Sequence, residues 1–344
     1  METRNYVSKT RDEIQSKLMD DEGLPLVYSQ EGIQQYWSGR SGELVSRWTE
    51  FLALSSPFLL KVLTNLATNR YEENEQDVVK DFRIILEKLG PTYVKMGQML
   101  SIRPDIIGDT AMLEMKKLQD GVKKFPTDEA MQVIKLEYGI EDIGEVFAEL
   151  SVEPVAAASL AQVYKGKLLS GETVAVKVQR PGTLSVVSKD LYVLRRAAEL
   201  FQGISDRFSP NQTDFVALME TWGEGFYTEL DFVNEADNQI RFKKLVGETT
   251  EGIYVPDVYR DLCRRRVLVT EWIDGVKLTE APEDEIADLV FLGQECFLKQ
   301  LLEVGFFHCD PHPGNLMKMN DTSKGRLAIL DYGLMAEIPD SERQ

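Results

Sequence analysis

Three side chains suited to phosphate and metal chemistry occur between residues 310 and 331. Asp310 carries a carboxylate, Asn315 carries an amide five residues later, and Asp331 carries a second carboxylate after a short apolar run. Phosphoryl transfer uses these groups: one aspartate accepts or orients the hydroxyl proton, and an asparagine and a second aspartate hold magnesium beside the phosphates. We therefore predict Asp310 as the candidate base, and Asn315 and Asp331 as metal ligands.

The sequence around these residues is similar to two protein-kinase motifs, H-R-D-x-x-x-x-N and, further along the chain, D-F-G. The Asp–Asn spacing is kept here, while Cys309 replaces the arginine and Tyr332 replaces the phenylalanine. Each short pattern is weak evidence alone, whereas the ordered set is specific. The sequence therefore predicts a kinase-like site.

A strand hairpin upstream carries a lysine in a second kinase pattern. Residues 172–179 read E-T-V-A-V-K-V-Q, which alternates and is β-branched, and Ser170-Gly171 marks a turn before them. The lysine of V-A-V-K contacts phosphates in kinases, so we predict that role for Lys177. Alone, this pattern would fit a surface strand; the loop before it and the catalytic segment after it favour the nucleotide-binding interpretation.

The loop before the hairpin is rich in alanine where a kinase has glycine. It reads Ala156-Ala157-Ala158-Ser159, and we expect these residues to border the nucleotide. Glycine allows the backbone to approach phosphates closely, whereas methyl groups restrict the backbone and block that approach. We therefore expect the phosphates to be held differently, which disfavours ordinary protein phosphorylation.

An acid-rich segment lies between the hairpin and the catalytic residues. We predict one helix over about 212–245, in which Glu229, Asp231 and Glu235 interleave with apolar side chains. Asp231 and Glu235 are four apart and would share a face. The apolar neighbours indicate a half-buried helix, and buried acids need cations. Magnesium, Lys177 and a lysine further upstream are the candidates.

The upstream lysine is Lys95, which shares a predicted helix face with Gln98. The helix covers 76–102 and is broken at Gly90-Pro91. Gly97 lies between the two side chains and permits close approach of another backbone, which favours burial. A solvated lysine on a surface helix is the alternative.

An apolar strand over 266–270 runs into Glu271-Trp272-Ile273-Asp274-Gly275, the pattern of the linker between kinase lobes. The backbone of that linker reads the adenine edge in kinases. We therefore predict that Glu271 and Ile273 contact the nucleotide. A long apolar helix over 284–304 then leads to the catalytic segment.

Composition limits the partners. The chain has 344 residues, with 43% hydrophobic and 28% charged residues, as in soluble globular proteins, and a net charge of −18. Nucleic acid is disfavoured as a partner because it requires a basic surface, whereas magnesium nucleotides are compatible with an acidic chain.

Other features bear on the compartment. Three widely spaced cysteines without a C-x-x-C pattern fit a reducing compartment. The start METRNYVSKTRDE has no apolar signal core, so no targeting peptide is visible. No apolar run reaches the length of about 18 residues that suggests a membrane span, so we predict no transmembrane helix.

Residues 44–66 form a predicted helix with a break or kink at Pro57. Its apolar surface consists of Trp48, Phe51, Leu52, Phe58, Leu59, Val62 and Leu63. An ordinary helical pair packed on its own domain is one interpretation. A face for a peripheral membrane surface or a partner is the other.

These segments predict an α+β, atypical protein-kinase-like, two-lobed fold. We expect a polar segment over 1–42, a helical extension over 43–150, a nucleotide-binding small lobe over 151–275 and a partial helical large lobe over 276–344.

The motifs together resemble the UbiB family of atypical kinases, also called the aarF-domain or ADCK family. Its K-x-G-Q motif occurs at Lys95-Met96-Gly97-Gln98 and its E-x-D motif at Glu229-Leu230-Asp231. The alanine-rich loop, H-x-D-P-H-P-G-N and D-Y-G occur in the family's order. The sequences of these motifs resemble those of the plastid and cyanobacterial branch most.

The resemblance implies a site and a biological role. The helical extension would pack over the active site, with Lys95 meeting the acids of E-x-D, and Glu235 would pair with Lys177. It also implies ATP or ADP with magnesium as cofactors and a role in prenylquinone metabolism, which covers coenzyme Q, plastoquinone and tocopherols. Members usually continue with further helices after D-Y-G, so the large lobe is expected to be truncated here.

The implied partners are a prenylquinone lipid or precursor and lipid-biosynthesis proteins, and the implied location is an organelle, the plastid before the mitochondrion. Three activities remain open: a protein kinase, an ATPase or small-molecule kinase, and a nucleotide-gated lipid-binding or scaffold protein with little catalysis. The second is favoured over the first because the extension would cover a peptide groove.

Overall fold

The computed structural model describes residues 19–101, 107–119, 124–208, 214–309 and 313–339, without the side chains of 201 and 204–208. The chain divides into two compact units. The first contains the described residues up to 119 together with those of Gly182–Tyr227. The second contains Lys124–Pro181 and the described residues from Thr228 onwards. Asp310 lies outside the described residues.

The described part of the first unit is helical. Its helices are α1 (Gln30–Ser38), α2 (Ser41–Ala67), α3 (Tyr71–Leu89), α4 (Pro91–Leu100), α5 (Asp109–Met115), α7 (Thr183–Phe208) and most of α8 (Phe215–Glu229).

The predicted break at Gly90-Pro91 is confirmed, because α3 ends at Leu89 and α4 begins at Pro91. Gly90 has φ 104°, a left-handed conformation that costs glycine little, and Pro91 occupies the first turn of α4, where its missing N–H is tolerated. This junction sets the direction of the helix that carries Lys95 and Gln98.

Of the predicted break or kink at Pro57, the break is wrong, because α2 runs through Pro57 as one helix of 27 residues, and the kink stays a prediction. A proline removes one helical hydrogen bond, and packing against a neighbouring helix can compensate for that loss. Phe58 of α2 stacks on Phe82 of α3 with ring centroids 5.6 Å apart.

A buried ion pair ties several helices of this unit together. Arg47 Nε of α2 lies 2.6 Å from Asp190 Oδ1 of α7, and Arg47 Nη2 donates to the Leu89 carbonyl at the end of α3. The Asp190 side chain is almost fully buried, and burial raises the pKa of its carboxyl while Arg47 lowers it.

The second unit contains an antiparallel sheet in the order β1-β3-β4-β6, with the short strand β2 pairing with β3. Its strands are β1 (Phe147–Leu150), β2 (Ala156–Ala157), β3 (Ala161–Leu168), β4 (Thr173–Gln179) and β6 (Val267–Glu271). The predicted hairpin is confirmed: β3 and β4 pair along their length, and Gly171 takes φ 105° in the turn. Helix α6 (Thr127–Tyr138) packs Val133 and Ile134 into the core of this sheet.

A second sheet has the order β5-β10-β9-β7, and β8 pairs with β11 beside it. Its strands and the flanking pair are β5 (Ile253–Tyr254), β7 (Gly275–Lys277), β8 (Phe306–His308), β9 (Leu316–Met319), β10 (Leu327–Ile329) and β11 (Met335–Glu337). Helix α10 (Glu283–Lys299) continues into a π-helical turn over Gln300–Val304, and Gly305 leads directly into β8.

The predicted single helix over 212–245 is wrong, because its described part consists of two helices. Helix α8 ends at Glu229, and α9 (Phe232–Phe242) begins after Asp231, which caps it by accepting from Val233 N at 3.0 Å. Between them, the Leu230 carbonyl accepts from the Gln179 side chain and the Phe232 N–H donates to the Arg265 carbonyl. These tertiary hydrogen bonds replace helical ones at the break.

No helix in the described ranges is both long enough and apolar enough to cross a membrane.

Candidate active site

The centre of the site is an ion pair between Lys177 of β4 and Glu235 of α9. Lys177 Nζ lies 2.7 and 2.8 Å from the two carboxylate oxygens of Glu235. The ammonium also lies 5.1 Å from the centroid of the Phe232 ring. Asp231 is the N-cap of α9, and Glu235 lies in the first turn of that helix, where it contacts the lysine.

A second carboxylate, Asp331, contacts the same ammonium from the segment after β10. Asp331 Oδ2 lies 3.4 Å from Lys177 Nζ, and Oδ1 accepts from Gly333 N at 2.9 Å. The Asp331 side chain is 37% exposed, whereas that of Glu235 is 3% exposed. Asp331 therefore remains accessible to a ligand from solvent, and Glu235 serves the lysine.

Charge and burial act in opposite directions on this cluster. Burial raises the pKa of Glu235 to about 7, with Lys177 lowering it and Asp331 raising it. Burial lowers the pKa of Lys177, but the Asp331 and Glu235 carboxylates outweigh that effect and raise it above its ordinary value. Lys177 therefore stays positively charged while Glu235 can bind a proton near neutral pH.

Glu229 lies beside this cluster at the end of α8. A Cβ added to Gly333 would lie 3.8 Å from Glu229 Cγ, 3.8 Å from Glu235 Oε2 and 3.3 Å from Asp331 Oδ1. The three acids thus surround the glycine of D-Y-G. Repulsion from the other two acids, Asp331 and Glu229, contributes to the raised pKa of Glu235.

Asp231 differs from the prediction, because it caps α9 and does not share a helix face with Glu235. Its cation is Arg265, whose Nη1 lies 3.7 Å from Asp231 Oδ2. Burial raises the pKa of Asp231 and Arg265 lowers it. Arg265 was not predicted, although the basic run Arg264-Arg265-Arg266 is a local signal for it.

The D-Y-G segment is fixed by buried contacts. Tyr332 is fully buried, its hydroxyl donates to the Ile329 carbonyl, and its ring packs on Phe242 with centroids 5.1 Å apart. Asn238 of α9 donates to the Tyr332 carbonyl at 3.1 Å. These contacts hold Asp331 in its orientation toward Lys177.

His308, at the end of β8, connects the catalytic segment to Asp331. Its Nε2 lies 2.5 Å from the Asp331 carbonyl oxygen, and its backbone N–H donates to Gln300 Oε1. His308 is the first residue of H-x-D-P-H-P-G-N, and no role was predicted for it. The Asn315 carbonyl accepts from Leu330 N at 2.9 Å, so the two predicted metal ligands lie on hydrogen-bonded segments.

The alanine-rich loop forms a tight turn at the edge of the first sheet. Ala156 and Ala157 pair with β3, and Ala158 N donates to the Ala161 carbonyl at 2.8 Å. Ser159 is buried, and its carbonyl accepts from Arg180 Nε at 3.2 Å. The Ala158 N–H is therefore used within the turn and is not offered to a phosphate.

The predicted adenine-reading segment follows β6. The Glu271 side chain accepts from the Tyr254 hydroxyl at 2.6 Å and lies 3.0 Å from Lys324 Nζ. These contacts outweigh burial, the largest single influence, and lower the pKa of Glu271. Ile273 is buried in a small apolar cluster. The Glu271 backbone N–H donates to the Asp257 carbonyl at 2.7 Å, so any contribution of Glu271 to nucleotide binding would come from its backbone carbonyl.

Lys95 and Gln98 are half-buried on α4. Gln98 Nε2 donates to the Leu118 carbonyl at 3.1 Å, and a Cβ on Gly97 would clash with Leu118 and Leu86. The glycine is therefore required by close packing within the first unit. The meeting of Lys95 with Glu229 stays a prediction.

The residues present fit a magnesium ion that is shared with phosphates. Asn315 and the accessible Asp331 supply oxygen ligands, and magnesium is usually bound by one or two carboxylates plus substrate phosphates and water. The described residues contain no cluster of three or more His, Cys, Asp or Glu side chains that could hold a metal. A nucleotide would have to complete the coordination.

Comparison with known proteins defines the class to which this chain belongs. The chain belongs to the family of the ABC1 atypical kinase-like domain, whose model matches residues 117–344. The predicted α+β, kinase-like fold and the resemblance to the UbiB and aarF proteins are confirmed.

Particular relatives agree with a plastid and cyanobacterial-like branch. The chain is 40% identical over 323 residues to the chloroplastic protein Activity of BC1 Complex Kinase 3 of Arabidopsis thaliana, and 39% identical over 321 residues to an uncharacterised protein of Synechocystis. Each match covers 92% of this chain but only 44% and 46% of the relatives, so the chain spans less than half their length.

A solved structure is also similar. The erythromycin complex of Rv3197 from Mycobacterium tuberculosis matches with a TM-score of 0.52 and 27% identity, covering 81% of this chain and 68% of that one.

Proposed function

We propose that the chain binds ATP or ADP with magnesium and acts as an ATPase or a small-molecule kinase. The observation that carries this proposal is Lys177, held between the buried carboxylate of Glu235 and the accessible carboxylate of Asp331. A lysine oriented in this way can contact the α- and β-phosphates, while Asp331 remains available to a metal.

Each predicted site residue has a separate role in this proposal. Glu235 orients Lys177, Asn315 and Asp331 hold magnesium, and Asp310 accepts the proton of the attacking hydroxyl or water. The backbone of Glu271 and Ile273 contacts adenine, and the alanine-rich loop borders the phosphates. Magnesium, when bound, neutralises charge that develops on the transferred phosphoryl group.

An apolar cavity of about 550 Å³ in the second unit supports a small-molecule acceptor. Leu289, Phe297 and Leu316 line its walls, and His308 and Asn315 lie among the few polar side chains that border it. Apolar cavities with a small number of polar groups commonly bind small molecules. This supports a lipid precursor as acceptor, and with the family membership it supports a role in prenylquinone metabolism, in a plastid as for the chloroplastic relatives.

Substitution of Asp331 tests the nucleotide site. We expect Asp331→Asn to abolish magnesium-dependent nucleotide binding, because it weakens an oxygen ligand that no other carboxylate in D-Y-G replaces. Binding of a fluorescent ATP analogue, titrated with magnesium, measures this. Asp288→Asn is a matched control, since that side chain is 74% exposed on α10. Undiminished, magnesium-dependent binding by Asp331→Asn would show that the site is assigned wrongly.

A second candidate function is a nucleotide-gated lipid-binding or scaffold protein with little catalysis. It is favoured by the alanine-rich turn, in which Ala158 N is already bonded to Ala161 O and does not point to a phosphate. Turnover separates the two: ATP hydrolysis stimulated by quinone-like phenols supports the enzyme, and tight binding without hydrolysis supports the scaffold. A quinone and lipid profile of cells lacking the protein would test the pathway.

A further inference from the structure

The alanine-rich turn is held at both ends by cationic side chains. Lys124 Nζ donates to the Pro154 carbonyl at 3.1 Å, just before the turn. At the other end, Arg180 Nε donates to the Ser159 carbonyl at 3.2 Å, and the Arg180 backbone N–H donates to the Leu160 carbonyl at 2.8 Å. The turn is therefore restrained by two residues outside its own sequence, neither of which was predicted as a site residue.

Buried contacts fix the position of Arg180. Its guanidinium carbon lies 4.9 Å from the centroid of the Phe125 ring, and Phe125 is 6% exposed. The fully buried Gln162 side chain binds both backbone groups of Phe125: Oε1 accepts from its N–H at 2.8 Å, and Nε2 donates to its carbonyl at 3.2 Å. An aromatic ring attracts a guanidinium, and a buried amide with satisfied hydrogen bonds is rigid. Arg180 is therefore packed on a rigid part of the second unit.

These contacts form a closed circuit with the turn. Gln162 of β3 lies opposite Ala157 of β2 in the sheet. From Gln162 the contacts pass through Phe125 to Arg180, and Arg180 returns to the turn at Ser159. All these residues lie in the second unit. A circuit of buried contacts resists opening more than one hydrogen bond does, because no member moves without breaking a second contact.

We propose that Arg180 and Lys124 are positioning residues that set the preference between ADP and ATP. The inference rests on the proposed function, in which the alanine-rich turn borders the phosphates. The two cations hold the turn closed, so its backbone stays away from the γ-phosphate of ATP, whereas ADP has no γ-phosphate and loses no contact. Both side chains act through the carbonyls at the ends of the turn and need not contact the nucleotide.

The direction of the effect separates this role from simple attraction of phosphate. A cation that only attracted phosphate would favour ATP, because ATP carries more negative charge than ADP. Its removal would then weaken the binding of ATP more than that of ADP. A cation that restrains the turn acts in the opposite direction, because its removal frees the backbone to approach the γ-phosphate and shifts the preference toward ATP.

Hydrogen exchange of the Ala158 amide, measured without nucleotide, tests the restraint alone. That N–H donates to the Ala161 carbonyl within the turn. We expect Arg180→Gln to speed its exchange about three- to tenfold, the order of one lost hydrogen bond in free energy. Lys124→Gln should act in the same direction with a smaller effect, because the Lys124 side chain is 54% exposed.

Arg241→Gln is the matched control, because it also removes a guanidinium from an aromatic ring in the second unit. Arg241 Cζ lies 4.2 Å from the centroid of the Phe306 ring, on strand β8. We expect its exchange at Ala158 to equal that of the native chain. Circular dichroism checks that each variant folds, and Lys124→Gln carries the test if Arg180→Gln does not. Native exchange rates in the folded variants of both cations overturn the proposal.

Competition binding of ADP and ATP, each with magnesium, tests the consequence for the nucleotide. We expect Arg180→Gln to raise the affinity for ATP relative to ADP about three- to tenfold. Binding of adenosine, which has no phosphate, should stay unchanged.

Three results of the competition experiment overturn the proposal while the proposed function stands. They are an unchanged ratio, a shift toward ADP, which would assign Arg180 to phosphate attraction, and equal weakening of all three ligands, which would indicate a purely structural role. A native chain that binds neither ADP nor ATP overturns the proposed function and this inference with it.

Discussion

Lys177 contacts two carboxylates of very different exposure, and this difference supports the separate roles proposed for them. Glu235 is only 3% exposed, so its proposed role is to orient the lysine. Asp331 holds one oxygen on Gly333 N and the other near Lys177, yet more than a third of its side chain is accessible. Under the proposed function, this arrangement would position the lysine for phosphate and leave Asp331 for a metal ion.

Protonation of Glu235 gives the stability a specific pH dependence. Its pKa is raised from 4.5 to about 7 in the folded chain, so the folded state binds the proton more tightly than the unfolded state. The stabilisation is complete below about pH 4.5 and is lost as the pH rises through about 7. We expect Glu235→Gln, which cannot ionise, to remove this fall in the free energy of unfolding with rising pH.

Urea unfolding at several pH values between these limits measures the effect. Glu248→Gln is the control, because it changes a glutamate on the exposed turn after α9. Parallel pH curves for the native chain and Glu235→Gln would contradict the assignment of the raised pKa to Glu235.

At the scale of the element, we expect the alanine-rich turn to control the approach of the backbone to phosphate. We expect Ala157→Gly to relax the turn and let its backbone close on the γ-phosphate, which shifts preference from ADP toward ATP. Ala156→Gly should act in the same direction. Competition binding of the two nucleotides measures the ratio of their dissociation constants.

The control for this change lies in the same sheet. Ala148 is exposed on the edge strand β1, so Ala148→Gly alters backbone freedom without touching the turn. An unchanged ATP-to-ADP ratio in both turn variants would exclude a direct role for the alanine loop.

Several elements were predictable because their signals are local. The hairpin around Lys177 follows from alternating β-branched residues and a glycine that can adopt a left-handed turn, and the junction before α4 follows from Gly90-Pro91. The break before α9 was not predictable in this way, because apolar residues continue on both sides of Asp231 and a capping acid looks like an internal one. Gln179 and Arg265, which stabilise the break, are distant in sequence.

In the site, too, the residues with local sequence signals were predictable and the contacts between distant residues were not. The identities of Lys177, Glu235 and Asp331 were predicted from motifs, and the structure brings them together. The links between them were not predicted: His308 to the Asp331 carbonyl, and Asn238 to the Tyr332 carbonyl, are side chain to backbone contacts that leave no spacing in the sequence.

At the scale of the whole molecule, the helical unit has a predicted catalytic role through Lys95. We expect Lys95→Ala and Glu229→Ala to be non-additive in a double-mutant cycle of stability and nucleotide turnover. Breaking one side of a buried ion pair typically costs about 3–5 kcal/mol, whereas a surface substitution usually changes stability by no more than about 0.5 kcal/mol.

Lys88→Ala provides the comparison, because Lys88 is exposed in the last turn of α3. Additive effects for Lys95 and Glu229, with stability and turnover equal to those of the Lys88 variant, would leave the helical unit without a catalytic role.

The burial of Tyr332 has a consequence for pharmacology. In protein kinases the packing of the aromatic residue of this motif sets the active or inactive state, so a ligand that selects another state would require the ring to move outward. Here that movement would expose a fully buried ring, at about 1.5–3 kcal/mol, and break the hydrogen bond to the Ile329 carbonyl. Screening for inhibitors should therefore favour compounds that accept Asp331 as it stands and compete with nucleotide directly.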